Sequence, residues 1–231
     1  PPMPIKCAGA PQKAMYLSGD ACLRNGTLKN VDIQVMNAGG ALFGVKDYVP
    51  ALMEYVKKYD ASLNFFHNLI AVDGPAKKAT FAVNAPDADP STIEVEFDMM
   101  HVCPPQTAPD FIRVSPLADA AGWVDVDQAT LRHTRYDNIW SLGDVMNAPN
   151  AKTAAAARKQ APTVADNIVA DIRGRSAVAQ YDGYGSCPLT VERGKIVLAE
   201  FGYGGTLKPS FPSYLIDGTK TSRAAWFLKE K

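Results

Sequence analysis

Apolar and polar residues along the chain follow two different periods, and the periods predict the elements. VDIQVMN alternates with a period of two and predicts a strand over 32–37. Val45, Tyr48, Val49, Leu52 and Val56 recur at three- and four-residue steps and predict a helix over 45–59. Residues 63–66 and 69–72 read as strands, and 78–84 with 92–97 as a hairpin around the turn-rich NAPDADPS. Residues 99–102 read as a strand running into Cys103-Pro104-Pro105, and a strand end at 5–6 leads through a tight loop to a helix from about residue 12. Strands alternating with helices predict an α/β fold, a Rossmann-like parallel sheet with a β-hairpin insertion.

The second half has another texture. A proline-rich stretch at 104–119 reads as a crossing connection, followed by short strands at 123–126 and 138–142. A helix over 152–173 contains Pro162, which should kink it. Beyond Gly174 the pattern is β-rich, with KIVLAEFGY as a clear strand, and SRAAWFLKEK at the end is amphipathic. These shifts divide the chain at 1–103, 104–174 and 175–231.

Composition narrows the classes. With 231 residues and 47% hydrophobic content, the chain suffices for one large or two small globular units. Zero net charge and the lack of a Lys/Arg run argue against a nucleic-acid partner. No segment approaches the roughly 20 apolar residues of a membrane span. The chain opens on Pro1 with no signal-peptide pattern, so it reads as starting inside a longer gene product. Of the four cysteines Cys7, Cys22, Cys103 and Cys187, none sits in a CxxC pair, which argues against zinc.

Chemistry concentrates in three segments. In YDNIWSLGDVMNAPNAKTAAAARKQ, residues 136–160, an apolar strand ends in Gly143-Asp144 and a helix opens at Lys152-Thr153-Ala154. The glycine permits close approach of a ligand, the carboxylate can accept from hydroxyls, and the helix start favours an anionic group. The segment resembles the second flavin-binding motif of flavoproteins with two dinucleotide domains. In KCAGAPQK, Cys7 stands at a helix start between Lys6 and Lys13, a setting that lowers a thiol pKa, although an ordinary turn also fits. In YDGYGSCPL, Gly183 and Gly185 make Cys187 part of a pliable loop before a strand, which fits a redox loop or a plain turn.

Taken in order with LFGVKDY, DAAGWVDVD and LAEF, these segments strongly resemble sulfide:quinone oxidoreductase over nearly the whole chain. The resemblance implies FAD as cofactor, with sulfide, quinone and a small sulfur acceptor as partners, and leaves the oligomeric state open. It implies that Cys7 and Cys187 form the redox pair that handles sulfane sulfur, with Cys7 facing and adding to the flavin. It implies that Gly143 and Asp144 hold the ribityl chain, and that Lys152, Thr153 and Ala154 present helix N–H groups to the flavin. Phe201 and Tyr203 are quinone-pocket candidates, against ordinary core packing. Family members also carry an N-terminal GxGxxG fingerprint, which AGGALFG does not match, and C-terminal membrane-seating helices. The chain therefore reads as a part of such an enzyme, seated peripherally on a bacterial or mitochondrial inner membrane. A flavoprotein resembling type II NADH:quinone oxidoreductase would need a nicotinamide fingerprint, and the CAGAP loop occupies its place. A non-catalytic sulfur-binding module is the other reading. Cys22 and Cys103 read as packed thiols, although Cys103 stands on the connection back to the flavin motif. His67, His101 and His133 lack ligand spacing; His101 is a weak proton-transfer candidate beside a structural role.

Overall fold

The computed structural model describes residue 3 and residues 5–230. Lys231, the last residue of the amphipathic SRAAWFLKEK, lies outside the described residues. The chain forms two compact units. One takes Pro1–Gln106, Pro188–Leu198 and Ser213–Lys231, and the other takes Thr107–Cys187 and Ala199–Pro212.

The first unit opens with α1, Gly9–Arg24, starting three residues before the sequence reading placed it. Strand β1, Gln34–Asn37, pairs in parallel with β2, Ser62–Phe65, and α2, Val49–Lys58, makes the crossover. Pro50 sits in the first turn of α2, where its missing N–H has no intrahelical role. Its apolar stripe is buried: Leu52 and Tyr59 are sealed, as is Tyr16 from α1. The phenols in this core are satisfied by backbone, Tyr16 donating to the Leu52 carbonyl at 3.2 Å and Tyr59 to the Val191 carbonyl at 2.7 Å.

The expected hairpin at 78–97 is present but larger. Strands β3, His67–Asp73, β4, Lys78–Val83, and β5, Ser91–Glu96, form an antiparallel meander in that order. The segment expected at 69–72 joins this sheet through a bulge between Leu69 and Ala71. On β4, Ala79 and Phe81 are buried while their neighbours are half-buried, the period expected of a strand with one face covered. Residues 99–102 are not a strand; Met99 and Val102 are exposed, and the segment has no ladder partner among the described residues.

The second unit contains α3, Asp110–Arg113, and the long α4, Ala154–Ile172, which runs through Pro162 as one element. The strands expected at 123–126 and 138–142 appear only as single bridges, Val124 with Ala118 and with Met146, Val126 with His133, and Arg132 with Trp140. Each segment meets its partner at one residue pair, so no ladder propagates. Their apolar side chains still build the core: Val124, Val126, Leu131 and Met146 are buried with Val164 of α4 and Tyr181.

Strands β6, Gly185–Glu192, β7, Lys195–Phe201, and β8, Thr221–Ser222, form a second antiparallel sheet in that order, and α5, Arg223–Glu230, follows. Burial along β6 and β7 is nearly continuous rather than alternating, as in a strand covered on both faces.

Candidate functional site

The predicted flavin motif folds as a turn that delivers a loop to the start of α4. Gly143–Val145 is one 3₁₀ turn, and Gly143 takes φ +78°, a region open chiefly to glycine. The Gly143 N–H donates to Gln160 Oε1 at 2.7 Å. Gln160 is fully buried on α4, so the turn is tied to the helix it precedes. Asp144 projects into solvent, and its carboxylate has no hydrogen-bond partner among the described residues.

Thr153 caps α4. Its backbone is extended, and its hydroxyl accepts the Ala156 N–H at 3.2 Å. The helix proper begins at Ala154, one residue past the cap, and its first-turn N–H groups point out of the helix. Lys152 is buried, and its ammonium donates to the carbonyls of Met146 at 2.7 Å and Ala148 at 2.8 Å. The sequence reading gave Lys152 a backbone role at the helix start; it stands one residue before the cap, outside α4, and its side chain latches the loop that follows Asp144.

Cys187 lies inside β6 rather than in the pliable loop expected of it, and the turn that leads into it packs on this same helix start. A Cβ added to Gly185 would stand 3.3 Å from Ala151 Cβ and 3.9 Å from Thr153 Oγ1, so only a bare backbone fits comfortably. Gly183, at φ +81°, turns the chain where a Cβ would lie 2.3 Å from the Tyr203 ring. Tyr181 donates to the Tyr184 carbonyl at 2.6 Å and faces the Gln160 amide without a hydrogen bond of normal geometry. Lys159 of α4 places its ammonium 5.5 Å from the Tyr184 ring centroid. Cys187 is 3% exposed on β6. The second unit thus brings together Gly143, Lys152, Thr153 and the Cys187 loop.

Cys7 belongs to the first unit. It is partly exposed, one residue before the helix-start residue Ala8, and its carbonyl accepts the Ala10 N–H at 3.2 Å. The Lys6 N–H donates to Gln106 Oε1 at 2.8 Å, which draws the segment after Cys103 alongside. Burial pushes the Cys103 thiol above its ordinary range, and Cys7 adds to the shift. Cys103 therefore stands within electrostatic reach of Cys7. Cys22 is on α1, half-buried.

The two aromatic candidates differ. Phe201 ends β7, half-buried, bridged to Leu207. Tyr203 is part of the second unit's core: its hydroxyl donates to the Gln128 carbonyl at 2.8 Å, and its ring meets Tyr181 edge-on at 5.8 Å. Burial pushes its phenol up to about 12. His133 is a structural histidine. Its Nδ1 accepts the N–H groups of Arg135 at 3.0 Å and Tyr136 at 3.3 Å, so Nε2 carries the proton toward the Leu117 carbonyl at 3.0 Å. His101 is exposed, and His67 lies against the Phe65 carbonyl.

Four residues that the sequence reading did not single out support these loops: Gln160, Tyr181, Tyr184 and the buried Glu200. Gln160 closes the motif quoted above, and a glutamine seven residues into a helix that follows Gly-Asp was the available signal. Tyr184 stands inside YDGYGSCPL, and Glu200 inside LAEF.

No family model matches the chain. Among curated proteins, it is 41% identical over 212 residues to the mitochondrial sulfide:quinone oxidoreductase of Mus musculus, covering 92% of this chain and 47% of that protein. It is 41% identical over 227 residues to the mitochondrial protein of the same name from Dictyostelium discoideum, covering 98% of this chain and 48% of the relative. The chain thus spans about half the length of the curated relatives it matches. A chain in the mitochondrial ATP synthase structure of Tetrahymena thermophila aligns over 84% of this chain and 47% of its own, with TM-score 0.69 and 24% identity, a likeness of fold. The chain is therefore homologous to part of the sulfide:quinone oxidoreductases, relatives of that name being 36–41% identical to it over 92–98% of its length.

Proposed function

We propose that this chain is the part of a sulfide:quinone oxidoreductase that carries its redox cysteines and its second flavin-binding motif. The observation that carries this reading is the packing of the Cys187 loop, through Gly185, on Ala151 and Thr153 at the mouth of α4. A sulfur-handling loop and a dinucleotide motif in one unit serve a protein that moves electrons from sulfur to a flavin.

The residues fit FAD. Asp144 offers a carboxylate free to accept from ribityl hydroxyls, as the resemblance implies. Of the five buried side-chain polar atoms without a hydrogen-bond partner among the described residues, two lie here, Asn150 Oδ1 in the loop before α4 and Gln160 Nε2, which faces Tyr181 behind Gly143. Orphaned buried groups of this kind mark places where a ligand completes the bonding. The first-turn N–H groups of α4 favour the negative charge that a reduced flavin carries. Bound FAD supplies a two-electron acceptor that passes the pair on to quinone.

The cysteines do the sulfur chemistry. With Cys7 and Cys187 as the oxidised pair that the resemblance implies, bridged as a disulfide or trisulfide, hydrosulfide attacks one bridge sulfur, forms a new S–S bond and expels the rest of the bridge as thiolate or perthiolate. One cysteine then carries a persulfide, and the sulfane sulfur leaves to a small nucleophilic acceptor. The helix start at Cys7 favours the thiolate, which is both the better nucleophile and the better leaving group. Phe201 is the better quinone-facing candidate, because Tyr203 is committed to the core.

The relatives are named mitochondrial, which supports an inner-membrane location. No described helix is long and apolar enough to cross a membrane. Exposed Tyr214, Leu215, Phe227 and Leu228 support contact with a membrane surface instead.

The test is anaerobic flavin absorbance of the intact protein before and after sulfide, with no nicotinamide present. Rapid bleaching reversed by a quinone is expected. A flavin that ignores sulfide and bleaches with NADH would assign the chain to another quinone reductase.

A further inference from the structure

Glu200 is the one fully buried acid among the described residues of the second unit, and no step above uses it. It stands on β7 with 4% of its surface exposed. Three donors converge on it. The Tyr184 hydroxyl donates to Oε1 at 2.5 Å, the Ser210 hydroxyl to Oε1 at 2.5 Å, and the Ser210 N–H to Oε2 at 3.0 Å. Burying a carboxylate costs several kcal/mol unless such bonds offset it. The chain therefore keeps a costly group here, and its partners show what it holds.

Tyr184 is fixed on every side. Its hydroxyl is bound by Glu200, its carbonyl accepts from Tyr181, and its ring lies under the Lys159 ammonium of α4. Burial pushes its phenol up, and the bond to Glu200 raises it further, while Ser186 and Ser210 act in the opposite sense. Tyr184 precedes Cys187 by three residues, and Gly185 between them is the contact with the α4 start. Both carboxylate oxygens are used as acceptors. A glutamine would offer one acceptor and turn an N–H group toward a donor.

We propose that Glu200 is a positioning residue: it clamps Tyr184 to Ser210 and so holds residues 184–187 against the mouth of α4, the placement from which Cys187 reacts. The proposal rests on the reading of Cys187 as a redox cysteine. The clamp itself can be tested without that reading.

The experiment measures iodoacetamide labelling of each cysteine in the intact, flavin-loaded protein, resolved by peptide mass spectrometry, beside the rate of flavin bleaching by sulfide. Losing one charged hydrogen bond should raise the open fraction of the loop about tenfold. Glu200→Gln and the milder Tyr184→Phe are therefore expected to speed labelling of Cys187 by about that factor, leave Cys22 and Cys103 unchanged, keep the flavin bound and slow bleaching. Ser210→Ala should move Cys187 the same way, and Ser210→Thr, which keeps the hydroxyl, should not. Unchanged Cys187 labelling in both Glu200→Gln and Tyr184→Phe overturns the clamp. So does equal acceleration at all four cysteines, which reports general loosening. If wild-type flavin ignores sulfide, the functional reading falls while the labelling pattern still decides the clamp.

Discussion

The Cys7 loop opens a helix and the Cys187 loop opens a strand, and the two settings give their thiols different properties. Cys7 is partly exposed where α1 begins, with the helix field favouring its thiolate. Cys187 is almost sealed in β6, behind a turn fixed by Gly183 and a tyrosine clamp. An accessible thiolate suits an encounter with a small diffusing anion. A sealed thiol suits sulfur exchange at fixed geometry, and its reactivity depends on the side chains that hold its loop. The same element can thus be made reactive by a helix start or by a rigid scaffold, and the second route exposes far more residues to damaging substitution.

The largest effect should come from removing either sulfur. Cys7→Ser and Cys187→Ser are each expected to slow sulfide-driven flavin reduction by more than about a thousandfold while leaving flavin bound, since a serine hydroxyl can neither bridge to sulfur nor carry a persulfide. Flavin absorbance after anaerobic sulfide addition reads both quantities, and retained reduction in either variant would end the two-cysteine mechanism. Next comes the scaffold. Gly183→Ala puts a Cβ 2.3 Å from the Tyr203 ring at φ +81° and should cost more than about 2 kcal/mol, seen as a lower melting temperature. A wild-type melting curve would mean that the turn relaxes freely. A smaller effect separates the two thiols directly: Cys7 should be alkylated at least about tenfold faster than Cys187 in the unmodified protein. Equal rates would erase the distinction drawn between the loops.

Much of this was legible in the residues, and the gaps have physical causes. The helix 45–59 and the alternation at 32–37 announced the βαβ unit because both faces follow simple periods. The strands at 123–126 and 138–142 failed to form ladders because apolar patterning specifies burial, and burial came without a continuous partner strand. Met99–Val102 had the composition of a strand but no neighbour among the described residues to pair with. At the site, the glycines, cysteines and Asp144 were visible because their chemistry is local. Gln160 and Glu200 were not assigned side-chain roles because each acts through a partner distant in sequence, Gly143 and Tyr184, and Lys152 was not because a lysine bonding nearby backbone carbonyls leaves no residue pattern.

The smallest effect concerns the far end of β6. Glu192 closes β6, the strand that carries Cys187 near its start, and it pairs with Lys195 at 2.7 Å and with Lys58 of α2. Burial pushes the Glu192 carboxyl up, but the hydrogen bonds from Lys195 and Lys58 outweigh it and leave the carboxyl below its ordinary range. The hydrogen bond from Glu192 in turn holds the Lys195 ammonium above its ordinary range. A lowered carboxyl contributes stability above its unfolded pKa, near about 4.3, and loses it as pH falls through the folded value. A raised ammonium contributes stability below its unfolded pKa, near about 10.4, and loses it as pH rises through the folded value. Glu192→Gln should therefore lower stability by about 1 kcal/mol across neutral pH, a figure already trimmed for the solvent exposure of both lysines. The gap between variant and wild-type melting temperatures should close toward pH 3 and again in strong alkali. It should leave Cys187 labelling untouched, because the strand is anchored separately at its two ends. If Glu192→Gln sped Cys187 labelling as much as Glu200→Gln, β6 would be one mechanical unit, and the local clamp at Tyr184 would not be what holds the cysteine.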